Sequence, residues 1–252
     1  MTTFPRFQAV ILAGGLGTRL RSVVSTLPKV MAPVAGQPFL HHILRSLSQQ
    51  GFARVVLAVG YMREAIMDSV GSEFLGMQIQ YSVEDELLGT GGAVRQALSL
   101  VEPGLCFVLN GDTWVDLDYA AMYREHLAAN ARLSIAVKEI DDVSRFGTLQ
   151  ISNRHITGFL EKGSCGRGSI NAGAYLMPTD LLAEQTLPKV FSLEQDFFMP
   201  QLSSLHPLAH HTAGTFIDIG IPIDYDRAQM LLGTQSNRAD ASPQDQTRGA
   251  AE

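Results

Sequence analysis

Apolar residues at 9–12, AVIL, form a run of strand type that passes directly into a loop with glycines at 14, 15 and 17. Beyond it, Pro38 precedes FLHHILRSL, where positions 39, 40, 43, 44 and 47 are apolar. That is the spacing of one helical face, and Gly51 closes the predicted helix. Residues 53–59, ARVVLAV, are a β-branched apolar run of the kind buried on both faces of a parallel sheet, and a shorter helix is predicted from Met62. A strand over 77–82 leads to VEDELLGTGGAVRQALSL, where a second glycine-rich loop opens another helix, and the run LCFVLNGD ends on Asp112. Strands alternating with helices predict an open α/β sheet, which binds ligands beyond the carboxyl ends of its strands. The loops with glycine or acidic residues should therefore converge.

From Arg132 the rhythm shortens to RLSIAVKEI, FGTLQIS, HITGFLEK and SINAGAYLM, which predict strands joined by hairpins that cover the sheet and shape a second pocket. Residues 192–203 suit a helix, TFIDIG a final strand, and IPIDYDRAQMLL a helix starting near Pro222. Residues 233–252 are polar and predict a disordered tail behind a single domain over 1–232. The fold class is α/β: a Rossmann-like, mixed, mostly parallel sheet flanked by helices, with a smaller β-rich part.

At 252 residues and 46% apolar content the chain can bury a substantial core. A formal charge of −6 with no Lys/Arg cluster speaks against nucleic acid as a partner, so local placement of cations matters more than their total. Neither a signal segment nor an apolar stretch of ~18 residues is present, so no membrane role and a cytoplasmic location are expected. A homo-oligomer is compatible with this composition. Cys106, in an apolar run, and Cys165, in a glycine-rich loop, lack CxxC spacing and read as free thiols.

The loop at 14–17 is a geometry for bringing backbone close to a phosphate, with Arg19 and Lys29 as countercharges. It is not a dinucleotide fingerprint, because Leu20 stands where the third glycine would fall, and it lacks the GKS or GKT of a P-loop. Asp112 and Asp218 each follow an apolar run; singly, such an Asp is more often a turn or helix cap. Asp116, Asp118 and Asp224 read as surface or capping groups. The His41-His42 and His210-His211 pairs have no partners at metal-site spacing and read as packing or surface residues. Trp114 reads as a packing anchor, and no elbow surrounds Ser164 or Ser169.

Seven segments together, GGLGTRL at 14–20, PKVMAPV at 28–34, GTGGA at 89–93, NGD at 110–112, EK at 161–162, INAGAY at 170–175 and FIDIG at 216–220, resemble the sugar-1-phosphate nucleotidyltransferases in order and spacing. The resemblance covers about residues 6–232. It implies that a sugar 1-phosphate attacks the α-phosphorus of a nucleoside triphosphate in line, with Mg²⁺ and without a covalent enzyme intermediate. Such a reaction depends on charge neutralisation and alignment. By motif, Leu12, Ala13, Gly14, Gly15, Gly17 and Thr18 would hold the nucleotide, joined by Glu84, Gly89, Thr90 and Gly111. Arg19 would stabilise the triphosphate and departing pyrophosphate, and Lys29 the sugar phosphate or the reacting centre. Asp112 and Asp218 match the metal-binding aspartates, and Mg²⁺ commonly uses one or two carboxylates plus phosphates and waters. Gly147, Glu161, Lys162 and Asn171 would take the sugar phosphate.

Glu84 corresponds to the family position facing the Watson–Crick edge of the base, where uridine- and thymidine-using relatives often carry Gln. A carboxylate only accepts, and guanine offers two adjacent donors, N1–H and the N2 amino group, whereas uracil and thymine set acceptors on either side of one N3–H. GTP is therefore the expected nucleotide, with Glu86 as a competing position. The family often has Pro after the Glu-Lys pair, where this chain has Gly163 and SCGRGS. That departure and the short length are most similar to the D-glycero-α-D-manno-heptose 1-phosphate guanylyltransferases, with mannose-1-phosphate guanylyltransferases next. Other readings are a uridylyl- or thymidylyltransferase and, in a different class, a catalytically silent nucleotide-sugar sensor.

Overall fold

The computed structural model describes residues 6–239 except 16, 18, 19, 21–25, 161, 162, 164 and 184. Strand β1 (Phe7–Leu12) leads to a short 3₁₀ turn at Lys29–Met31, a small ribbon of β2 (Pro33–Val34) and β3 (Gln37–Pro38), and helix α1 (Phe39–Gln49). Then come β4 (Phe52–Val59), α2 (Arg63–Val70), β5 (Glu73–Phe74), β6 (Met77–Val83), α3 (Gly89–Leu98), β7 (Leu105–Asn110), β8 (Thr113–Val115) and α4 (Tyr119–Ala128). The second half supplies β9 (Ser134–Ile140), β10 (Thr148–Ser152), β11 (His155–Leu160), β12 (Gly168–Pro178) and a π-helical segment at Leu193–Phe198. It ends with α5 (Leu202–Leu205), β13 (Leu208–Thr212), β14 (Phe216–Asp218) and α6 (Pro222–Ala239).

Ten strands form one mixed sheet in the order β10-β11-β13-β9-β12-β7-β1-β4-β6-β5. The block β7-β1-β4-β6 is parallel. Alternate residues of β1 and β4 enter opposite layers, because side chains alternate along a strand and both faces are covered. Ile11, Val55 and Leu57 pack with α1, α2, α4 and α6, while Val10, Val56 and Ala58 pack with α3 and the π-helical segment. In α1 the predicted stripe Phe39, Leu40, Ile43, Leu44 and Leu47 is buried.

The β-rich half does not cover the sheet as expected but continues it. β12 runs antiparallel to β7, with Ala174 opposite Leu109, then shifts register between Asn171 and Tyr175 and pairs with β9. Apolar residues on both faces of β9 and β12 leave them unable to lie on the surface of another layer, and joining an existing edge satisfies their backbone groups as well. Among the described residues of this half, only β10 and β11 form the expected hairpin between neighbours. The last helix runs to Ala239, past residue 233 where the tail was expected to start.

Candidate active site

β4 and β6 lie on one side of β1 and β7 on the other, so the chain reverses its direction of travel across the sheet at β1. Two connections leave in opposite directions there, opening a crevice at the carboxyl ends of the strands. A cavity of about 350 Å³ occupies that place, lined by Leu12, Gly14, Gly15, Gly17, Lys29, Val30, Glu84, Leu87, Gly89, Thr90, Ala93, Asn110, Asp112 and Gly220.

Glycine is required at several of these points by close approach. Gly17 has φ +57°, and a β-carbon on it would lie 2.8 Å from Cβ of Lys29. On Gly14 it would lie 2.8 Å from Glu84 Oε1, so the Glu84 carboxylate rests directly against the loop backbone. On Gly111 it would meet the Leu12 carbonyl oxygen at 2.4 Å, and Gly111 N–H donates to that oxygen at 2.9 Å, joining the ends of β7 and β1. Ala13 is buried behind the loop, its N–H donating to Ala58 O. Helix α3 points its N-terminus at the cavity through Gly89 and Thr90, the end of a helix that favours anions.

Glu84 is half-buried at the end of β6, its N–H donating to Val59 O and its Oε2 accepting from Leu88 N–H at 3.4 Å. Burial pushes its carboxyl above the usual range, with the Leu88 N–H opposing. The competing Glu86 is exposed and tied to Lys189 at 2.6 Å, outside the cavity lining.

Lys29 Nζ donates to Asp112 Oδ2 at 2.6 Å and lies 3.7 Å from Asp218 Oδ1. Two aspartates more than a hundred residues apart meet because β14 pairs with β8, Asp218 opposite Thr113, and Ile219 N–H donates to Asp112 O. Gly220 N–H donates to Asp218 Oδ1 at 2.7 Å. Burial first, then the Asp112 charge, push the Asp218 carboxyl above its usual range, while Lys29 and the Gly220 N–H pull it down. Two facing carboxylates in contact with one Lys29 ammonium are a donor set of hard oxygens suited to Mg²⁺.

Asn171 sits at the β12 bulge, where Gly173 has φ +71°. Its Oδ1 accepts from Gly173 N–H and its Nδ2 donates to Tyr175 Oη at 2.9 Å. Tyr175 Oη in turn donates to Glu194 Oε1 at 2.8 Å. Leu193 N–H donates to Thr90 Oγ1, and Phe191 O accepts from Gly91 N–H, so the 191–194 stretch touches both the start of α3 and the Asn171 strand. Tyr175, the end of INAGAY, and Glu194, within the 192–203 segment that suits a helix, are not marked as site residues by the sequence. Gly147 lies beside Leu160, a β-carbon on it falling 3.2 Å from the Leu160 oxygen. Thr18, Arg19, Glu161 and Lys162 lie outside the described residues. Asp118 caps α4, accepting from Ala121 N–H at 2.7 Å. Trp114 is buried, His42 bonds Val34 O, and His210 pairs with Glu125 at 3.2 Å. Cys106 is buried and Cys165 exposed, both as free thiols.

A parallel α/β core whose switch-point cavity runs from a glycine loop to Lys29 and Asp112, with Asp218 against Lys29, defines a nucleotide-binding protein built for chemistry on phosphates. Residues 8–234 match the Nucleotidyl transferase family, and the chain belongs to it. It is 40% identical over 225 residues to the D-glycero-alpha-D-manno-heptose 1-phosphate guanylyltransferase of Aneurinibacillus thermoaerophilus, covering 89% of this chain and 98% of that one. With the protein of the same name from Campylobacter jejuni it shares 40% over 219 residues, 86% of this chain and 96% of that one. The crystal structure of HddC from Yersinia pseudotuberculosis complexed with GMP-PN superposes with a TM-score of 0.80 at 38% identity, covering 89% and 98% of the two chains. No helix among the described residues is long and apolar enough to cross a membrane.

Proposed function

We propose that the protein transfers GMP from GTP to D-glycero-α-D-manno-heptose 1-phosphate, giving GDP-heptose and pyrophosphate, in the cytoplasm and for surface polysaccharide synthesis. The observation that carries the reading is the Lys29–Asp112–Asp218 cluster at the end of a cavity whose other wall is Glu84. Asp112 and Asp218 would hold Mg²⁺, which when bound neutralises phosphate charge and polarises the reacting phosphorus. Lys29 offsets the repulsion between the two phosphate substrates, and Gly220 N–H holds Asp218 in position. Guanine fits because Glu84 can accept from both N1–H and the N2 amino group, while a pyrimidine would set a carbonyl lone pair against it. Arg19, Glu161 and Lys162 are assigned to triphosphate and sugar phosphate by motif.

The test is pyrophosphate release from four nucleoside triphosphates against several sugar 1-phosphates with Mg²⁺. GTP with the heptose 1-phosphate should dominate. Better use of UTP or dTTP would remove the base assignment, turnover of mannose but not heptose 1-phosphate would remove the sugar assignment, and no pyrophosphate at all would favour a silent sensor. Asp112→Asn and Asp218→Asn should each abolish turnover in folded protein; near-normal rates at limiting Mg²⁺ would take that residue out of the metal site.

A further inference from the structure

Lys29 and Asp112 line the nucleotide cavity; Asp218, in contact with Lys29, lines a second cavity of about 550 Å³. The Lys29–Asp218 contact joins the linings of the two cavities. β14 lines the second cavity along its whole length, with Phe216, Ile217 and Asp218. The edge of one ring faces the other where Phe146 meets Phe216, with centroids 5.8 Å apart, and the Arg145 guanidinium carbon lies 5.3 Å over the Phe146 ring. The Arg145 guanidinium then pairs with the Asp224 carboxylate from the first turn of α6.

This wall combines aromatic surface, from Phe146 and Phe216, with the Arg145–Asp224 ion pair. Among the other charged groups of the cavity, Lys138 donates to Ala213 O, Glu139 pairs with Arg167 and Asp142 accepts from Ser144 N–H, while Asp141 and Arg227 line it along with the Arg145–Asp224 pair. An acceptor whose phosphate sits among Lys29, Asp112 and Asp218 must extend its ring away from that cluster, and the carbons farthest from C1 reach farthest. Ring C–H groups suit the aromatic edge. A glycol suits the ion pair, because the carboxylate accepts one hydroxyl proton while unused guanidinium N–H groups donate to hydroxyl oxygens.

We propose that this second cavity takes the exocyclic C6–C7 glycol of the heptose and that the Arg145–Asp224 pair discriminates a seven-carbon from a six-carbon acceptor. The proposal rests on the heptose reading above. Mannose 1-phosphate ends in a single CH₂OH at C6 and leaves the pair one hydroxyl short. Because Arg145 and Asp224 satisfy each other when that hydroxyl is absent, discrimination is finite, of the size seen when a pocket gains or loses one small group.

The test compares kcat/KM for D-glycero-α-D-manno-heptose 1-phosphate and α-D-mannose 1-phosphate, at saturating GTP, in wild type, Asp224→Ala, Arg145→Ala and the isosteric Asp224→Asn, each checked for folding by circular dichroism. The expected result is a heptose-over-mannose ratio about 10- to 100-fold lower in the alanine variants, carried by the KM for heptose 1-phosphate with the KM for GTP unmoved. Asp224→Asn, which keeps one acceptor oxygen, should fall between. An unchanged ratio, including equal loss on both sugars, overturns the glycol site while leaving the heptose reading intact. A wild-type preference for mannose 1-phosphate overturns the heptose reading and the glycol site with it.

Discussion

At the residue scale the site places charge where the empty protein is least comfortable with it. Glu84 is easier to bury protonated than ionised, since its carboxyl is pushed up by burial. A raised folded-state value means that its contribution to stability is fully present below about pH 4, the unfolded value, and is lost as pH rises through the folded value. Glu84→Gln mimics the protonated form. Thermal melts from pH 4 to 7 should show the variant more stable than wild type at pH 7 and level with it near pH 4. The same substitution replaces one acceptor by a donor, so kcat/KM for GTP should fall by about 10- to 100-fold while UTP gains relative to GTP. Lys29 carries the opposite burden. Lys29→Met removes the cation between Asp112 and Asp218, and kcat/KM should drop by about 10²- to 10³-fold, measured by pyrophosphate release, as for the loss of one electrostatic contact to a transition state.

At the element scale, helix α3 is seated by the 189–191 strip. A β-carbon on Gly91 would fall 2.1–2.7 Å from ring atoms of Phe191, and on Gly92 it would meet Lys189 O at 2.6 Å. Gly91→Ala forces the ring or the helix to move and should cost about 1–3 kcal/mol in chemical denaturation, with a raised KM for GTP because Gly89 and Thr90 belong to the same helix start. The π-helical segment that follows is tied to the start of α3 by Thr90 and to β12 by the Tyr175–Asn171 chain. Burial and the Glu194 carboxylate push the Tyr175 hydroxyl well above the usual tyrosine range, so it remains a donor to Glu194 while accepting from Asn171. Tyr175→Phe leaves both partners short of a hydrogen bond in a buried setting and should destabilise the fold by about 1–3 kcal/mol.

At the scale of the whole molecule, the cavity at the switch point gathers residues from β1, β7, the loop before α3 and the turn at Lys29–Met31. A ligand that binds only this assembled form stabilises the entire fold. GTP with Mg²⁺ at 100 times its Kd should add about 2.7 kcal/mol, a rise in Tm of roughly 5–10 °C, which UTP should not match and Asp112→Asn should reduce. Differential scanning fluorimetry reads this without catalysis.

Local pattern by itself determined a great deal. The 3.6-residue stripe of α1, the both-face burial of β1, β4 and β7, and the glycine loops follow from periodicity and backbone freedom, which are properties of neighbours in the chain. Asp118 as a helix cap and Trp114 as an anchor followed in the same way. What periodicity could not decide was which edge β9–β13 would join, since an apolar strand looks alike whether it covers a sheet or extends one. Nor could it show Asp224, a plausible surface group at a helix start, turned toward Arg145 across a cavity, or Glu194 bonded to Tyr175. The meeting of Lys29 with Asp112 and Asp218 depends on β14 pairing with β8, a contact between segments more than a hundred residues apart. Such placements are set by the packing of the assembled sheet, and only the tertiary structure holds that information.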